Sequence, residues 1–177
     1  MSNIVYIATS IDGYIAGPNG DLDWLHSIPN PDNHDFGFAD FMNRIDAIIM
    51  GRNTFETVCG FGGDWPYIKP VFVLSNSLRS ISGKFKSKTE LVKGDISDIE
   101  KQLHQKGYKH FYIDGGVTIQ NFLKEDKIDE MIINTVPILL GGGAPLFEYL
   151  PELIAFDLVT SEVLLNSMVK NHYRRKR

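Results

Sequence analysis

The stretch that most constrains this chain is Phe111-Tyr-Ile-Asp-Gly-Gly-Val-Thr-Ile-Gln-Asn-Phe-Leu123. Phe111 to Ile113 is a short apolar run of the kind a buried strand makes. Gly115-Gly116 breaks the run, and Val117, Ile119, Phe122 and Leu123 then fall at helical spacing. A strand that feeds a helix through two glycines brings unpaired backbone N–H groups close to an anion, with no Cβ in the way and positive φ allowed. An ordinary tight turn between strand and helix uses the same pair, so this stretch alone leaves both readings open.

The rest of the chain repeats the pattern. Asn3 to Ala8 reads as a strand that ends in the polar turn Thr9-Ser-Ile-Asp-Gly13. Tyr14-Ile-Ala16 is a brief apolar return, and Gly17-Pro-Asn-Gly20 is dense turn signal. Pro29 and Pro31 keep residues 21–35 from forming a long helix. Phe38, Phe41 and Met42 suit a short amphipathic helix over Phe36 to Asn43, and Ile45 to Met50 suits a buried strand. Gly51 follows at once, and Asn53 with Glu56 resembles a capping box. Further strands are expected over Val71 to Leu74, Glu90 to Val92 and Met131 to Val136. Ser97 with Glu100 is a second capping box, opening a helix that Gly107 closes. Phe156 to Val159 and Leu164 to Tyr173 read as an antiparallel edge pair.

Strands alternating with helices imply a largely parallel sheet covered on both faces, in one domain over residues 1–177. Ligands of such sheets bind beyond the carboxyl ends of the strands. The polar or glycine-rich stretches after Ala8, Met50, Leu74 and Ile113 all belong to that edge.

Composition narrows the partners. A net charge of −4 argues against nucleic acid. The basic run Arg174-Arg-Lys-Arg177 is read as a solvated tail. Cys59 is the single cysteine, which excludes an internal disulfide and a cysteine-built zinc site; it is read as a buried thiol, not a nucleophile. The five histidines are scattered, and no metal site is expected. No secretory signal or bilayer-spanning run is visible, so a cytoplasmic protein without a membrane partner is expected.

Neither Gly-x-Gly-x-x-Gly after the first strand nor the P-loop pattern is present, which argues against a conventional Rossmann dehydrogenase and a P-loop NTPase. Arg52 stands one residue after a strand-ending glycine, where its fork of donors can hold a phosphate, although a surface arginine is the simpler reading. Ser75 and Asn76 can bond the same anion or simply stop their strand. Asp12 can bind substrate or relay a proton, or can form an Asx turn with Gly13. Trp24 and Phe38 can stack on a flat heterocycle or serve as core.

Met50-Gly-Arg-Asn-Thr-Phe-Glu56 resembles the Gly-Arg-x-Thr-aromatic-Glu element of dihydrofolate reductase-like proteins. Leu74-Ser-Asn76 and Asp114-Gly-Gly-Val-Thr118 match two further elements of that family, in the same order. Ser10-Ile-Asp-Gly-Tyr-Ile-Ala16 and Val136-Pro-Ile-Leu-Leu-Gly-Gly-Gly-Ala-Pro-Leu-Phe147 resemble the reductase domain of bacterial riboflavin biosynthesis, here in a stand-alone form. The zinc deaminase motifs often fused to that domain are missing. True dihydrofolate reductases carry Pro where Asp23 stands in Leu22-Asp-Trp24, a departure from the folate pattern, yet Asp35 keeps their acid's spacing, sixteen residues before Gly51.

The resemblance implies a three-layer α/β fold and NADPH as cofactor. It implies cofactor contacts from Gly51, Arg52, Thr54, Ser75, Asn76, Gly115, Gly116, Val117 and Thr118, with Ala8 and Ile15 beside the nicotinamide. Asp12, Trp24, Asp35 and Phe38 fall on the substrate side, with Asp12 and Asp35 as the catalytic candidates. The implied activity is reduction of a small heterocycle, as in 5-amino-6-(5-phosphoribosylamino)uracil reductase. A true dihydrofolate reductase and a non-catalytic NADP(H)-binding protein are the alternatives. The riboflavin-type reductases are often dimers, so a homodimer is expected.

Overall fold

The computed structural model describes residues 1–81 and 83–177. Its main sheet is built from β1 (Ser2–Ser10), β3 (Ala47–Gly51), β4 (Val71–Leu74), β5 (Thr89–Val92), β6 (His110–Asp114), β7 (Glu130–Val136), β9 (Phe156–Leu164) and β10 (Met168–Arg175). The order is β5-β4-β3-β6-β1-β7-β10-β9. The first six of these neighbours run parallel, and β10 and β9 add an antiparallel edge. A second, two-stranded sheet pairs β2 (Tyr14–Ala16) with β8 (Ala144–Pro145). The helices are α1 (Phe38–Arg44), α2 (Arg52–Gly60), α3 (Ile96–Gln105) and α4 (Gly116–Lys124).

The three layers follow from alternation along the strands. Ile4, Ile48, Met50, Val71 and Val73 point to the face covered by Phe41 and Met42 of α1 and Phe55 of α2. Val5, Ile49, Phe72, Phe111 and Ile113 point to the other face, against Ile96, Ile99 and Leu103 of α3 and Ile119, Phe122 and Leu123 of α4. Because both faces are covered, these strands read as continuous apolar runs.

Several local expectations are corrected. Helix α1 begins at Phe38, because Phe36 (φ 59°) and Gly37 (φ 81°) both lie in left-handed conformation. Neither capping box forms: the caps are Gly51 for α2 and Asp95 for α3, and neither makes a side-chain cap bond. Glu56 pairs with Arg52, while Glu100 accepts from Asn3 Nδ2 at 2.6 Å and from Lys127 Nζ at 2.5 Å. β3 starts at Ala47, and the Asp46 carboxylate before it accepts the Lys109 and His110 N–H groups. The basic run is not a free tail. Arg174 and Arg175 belong to β10, Arg175 pairs with Asp126 at 2.6 Å, and Arg177 pairs with Asp129.

Candidate functional site

β4, β3, β6 and β1 are consecutive in the sheet, so the four turn-rich junctions expected from the sequence lie side by side along its carboxyl edge. Helices α2 and α4 start there from neighbouring strands, β3 and β6. Both helices begin at a glycine without a side-chain cap, and neither has an acidic residue in its first turn. By contrast, α1 carries Asp40 and α3 carries Asp98 in that turn. Their first N–H groups therefore keep their positive potential unneutralised, which favours an anion.

The two junctions are also packed into each other. A Cβ at Gly51 would lie 2.7 Å from Thr118 Oγ1, and a Cβ at Gly115 would lie 2.1 Å from Thr54 Oγ1. Gly115 has φ of 92° and ψ of 135°, a region that side-chain-bearing residues avoid. A Cβ at Gly116 would lie 2.8 Å from Ile15 Cδ1. The structure thus brings Gly51, Thr54, Gly115, Gly116, Thr118 and Ile15 together. Val117 is exposed on the first turn of α4. Arg52 donates through Nε to Glu56 Oε1 at 2.7 Å, one turn along α2, and both side chains are half-exposed. At the end of β4, the buried Ser75 hydroxyl accepts the Leu78 N–H at 3.2 Å, and Asn76 Oδ1 accepts the Gly94 N–H at 2.9 Å.

A cavity of about 830 Å³ opens on the α1 face of the same sheet. Tyr6 and Ala8 line it from β1, Tyr112 from β6, Asn134 and Val136 from β7, and Met168 from β10. Ala8 pairs with Asn134 in the parallel ladder, which places these positions on one face. Residues of the irregular segment 25–38 form the outer wall, among them Leu25, Ile28, His34, Asp35 and Phe38. The Tyr6 hydroxyl donates to the Phe36 carbonyl at 2.9 Å, and the Tyr112 hydroxyl donates to the Tyr6 carbonyl at 2.9 Å. Burial pushes the Tyr6 pKa up to about 12, so the hydroxyl remains a donor.

Of the expected substrate-side residues, Phe38 and Asp35 do line this cavity, and so does Ala8. Asp35 is not an open acid there. Its carboxylate accepts the Ala39 N–H at 3.0 Å and the Gly37 N–H at 2.9 Å, and these bonds hold its pKa below the usual carboxylate range. Asp12 lies outside the cavity lining. Its carboxylate accepts from the Ser10 hydroxyl at 2.5 Å, from the Leu140 N–H at 3.1 Å and from the Gly141 N–H at 2.8 Å. Those bonds, the Ser10 hydroxyl foremost, lower its pKa. Asp12 therefore ties the glycine-rich loop after β7 to the end of β1, a task in place of the expected proton relay. Trp24 is buried behind the cavity wall with Val136, Leu164 and Met168. Its indole Nε1 has no hydrogen-bond partner among the described residues.

Sequence reasoning missed Tyr6, Tyr112 and Asn134. Asn134 had a visible signal, as the one amide inside the apolar run of β7. It missed Asp114 as a titrating group too. This carboxyl sits at the end of β6, two residues beyond Tyr112 and just before Gly115, and burial raises its pKa to about 6. The Tyr67 hydroxyl lies 3.5 Å from Asp114 Oδ2, and Tyr112 also bonds the carboxylate. Cys59 is half-buried with its thiol pKa pushed up by burial, which suits an inert thiol. Among the described residues no cluster of three potential ligands could hold a metal ion, and no helix is long and apolar enough to cross a membrane.

Residues 3–170 match the family model of the RibD C-terminal domain. A protein from Shewanella sp. PV-4, assigned provisionally to riboflavin biosynthesis, has a crystal structure that superposes with a TM-score of 0.98. It is 56% identical, with all of both chains covered. The uncharacterized protein YwjB of Bacillus subtilis (strain 168) is 35% identical over 149 residues, 83% of each chain. The fold alone is shared with two more distant structures. A diaminohydroxyphosphoribosylaminopyrimidine deaminase/5-amino-6-(5-phosphoribosylamino)uracil reductase from Thermotoga maritima gives a TM-score of 0.73 at 16% identity, over 99% of this chain and 56% of that one. A dihydrofolate reductase from Enterococcus faecalis, complexed with NADP(H), gives 0.68 at 18%, over 99% and 97%.

Proposed function

This chain belongs to the RibD C-terminal domain family, and from that premise we propose that it is an NADPH-dependent reductase of a small heterocyclic substrate. The observation that carries the reading is the pair of uncapped helix N-termini, α2 and α4, set side by side next to a cavity of about 830 Å³. A dinucleotide needs both parts: an anion cradle for its phosphates and an adjoining apolar chamber in which the reacting rings meet.

Gly51, Arg52, Thr54 and the first turn of α4, Gly115 to Thr118, would hold the phosphates. Ser75 and Asn76 would lie beside the adenosine ribose. Ala8 and Ile15 would flank the nicotinamide, consistent with Ala8 lining the cavity and Ile15 touching Gly116. When bound, the cofactor supplies the hydride; the protein must orient the acceptor and deliver a proton. Asp114 suits the proton, since a carboxyl with a pKa of about 6 is partly protonated near neutral pH and contacts the cavity-lining Tyr112. Phe38 gives the acceptor an aromatic face within the cavity.

The test is direct. The purified protein is titrated with NADPH and NADH, and NADPH oxidation is then followed with aminopyrimidines, pterins and dihydrofolate. NADPH binding with turnover of an aminopyrimidine or a pterin is expected, and poor turnover of dihydrofolate. Absence of NADPH binding would end the reading, while binding without turnover of any candidate would favour a non-catalytic NADP(H) protein.

A further inference from the structure

The chemistry of the cavity wall says more about its occupant. Among the described residues lining it there is no Lys or Arg. The nearest ammonium on the same side, Lys170 of β10, is held by Glu162 at 3.2 Å. The N-terminus of α1 reaches the wall, but its Gly37 and Ala39 N–H groups are already filled by the Asp35 carboxylate. Asp35 and Glu162 both bear electrostatically on Tyr6 inside the cavity, and both are anions. A phosphate on the substrate would meet fixed negative charge, with no free cation and no open helix N-terminus to receive it.

The wall does hold one unanswered request. Asn134 is only 3% exposed and lines the cavity, and its Oδ1 has no hydrogen-bond partner within the protein. Its amide faces the Tyr6 hydroxyl, whose proton goes to the Phe36 carbonyl. A buried acceptor left unpaired costs about as much as a lost hydrogen bond, and a bound ring N–H or amino group would remove that cost. The cavity is thus aromatic and apolar, with one buried acceptor in its floor and carboxylates at its rim.

We propose that this site takes an unphosphorylated ring whose N–H or amino group is received by Asn134 Oδ1, and that it discriminates against the phosphorylated form of the same ring. The inference rests on the reductase reading for what happens to the ring, but not for its binding. It separates this chain from an enzyme acting on a phosphoribosyl substrate, despite the shared fold. The reaction that supplies this substrate must then either leave the ring unphosphorylated or remove its phosphate.

The test uses two matched pairs: 5-amino-6-(5-phosphoribosylamino)uracil with its dephosphorylated form, and 6-hydroxymethylpterin with its diphosphate. Binding is read from the fluorescence of Trp24, which packs against the cavity wall. At least one unphosphorylated ring is expected to bind roughly tenfold or more tightly than its phosphorylated partner. Asn134→Leu should weaken that ring by about tenfold or more while leaving NADPH affinity unchanged, and Asn134→Asp, which keeps an acceptor, should retain most of it. Leu25→Lys, at an exposed lining position, should shift the preference toward the phosphorylated member. Equal or tighter binding of the phosphorylated rings to the wild-type protein overturns the proposal, as does failure of all four compounds to bind. A ring that binds as expected in a protein that ignores NADPH would sink the reductase reading and leave this one standing.

Discussion

The two halves of the site are made in different ways. The nucleotide end consists of backbone: two glycine junctions, Gly51 and Gly115-Gly116, each packed against a threonine or isoleucine of another element, with bare helix N-termini between them. The substrate end consists of side chains from four strands and an irregular wall, assembled around a cavity. A backbone site tolerates little change and recognises a charge that every nucleotide cofactor carries. A side-chain site can be rewritten one residue at a time, so relatives sharing the first end need not share the second.

The sharpest way to break this contrast is at Gly115. Gly115→Val puts a β-branched side chain at φ 92° and against Thr54. Backbone strain and overpacking each cost about 1–3 kcal/mol. Denaturant unfolding should show a loss of that order, and NADPH binding should disappear. A stable variant that binds NADPH normally would mean that the junction is not a backbone site.

Asp114 stands where the two ends meet. Its folded pKa of about 6 lies above the ordinary carboxyl value of 3.8, so the fold favours the protonated form. The associated stability is fully present below pH 3.8 and is lost as pH rises through about 6. A shift of this size corresponds to about 3 kcal/mol. Asp114→Asn should therefore raise the melting temperature at pH 8 and change it little at pH 4, while turnover near neutral pH falls. Unchanged turnover would remove Asp114 as the proton source.

Arg52→Ala sharpens the nucleotide end alone. A charge-assisted bond contributes roughly 1.5–3 kcal/mol, so NADPH should weaken by about ten- to a hundredfold and NADH little. The existing Arg52–Glu56 pair, half-exposed, should cost little stability when lost. Equal losses for both cofactors would assign Arg52 to the helix instead of the 2′-phosphate. The smallest effect is expected at Asp12. Asp12→Ala frees the loop at Leu140 and Gly141, so limited proteolysis there should quicken with NADPH affinity unchanged; a large loss of turnover would restore Asp12 as a catalytic group.

Strand and helix identities were legible because both sheet faces are covered, which writes each central strand as an unbroken apolar run. Helix starts were less so. Asn53/Glu56 and Ser97/Glu100 have capping-box spacing, yet Glu56 and Glu100 were drawn to Arg52, Asn3 and Lys127 by partners nearby in space. The basic end read as solvated because Asp126 and Asp129, its partners, lie far back in the chain.

By itself the sequence determined the nucleotide end. Glycines at strand ends answer to local backbone geometry, and each motif is contiguous, so Gly51, Thr54 and Gly115 to Thr118 could be named from order and spacing. Only the tertiary structure decided the substrate end. Tyr6, Tyr112 and Asn134 meet because β6, β1 and β7 are neighbours in the sheet, in an order that no local pattern states. The carboxylates of Asp12 and Asp35 were likewise settled by backbone N–H groups brought to them on folding: one clamps a loop and one caps a helix. A carboxylate's chemistry depends on which donors reach it, and that is decided by packing, not by residue type.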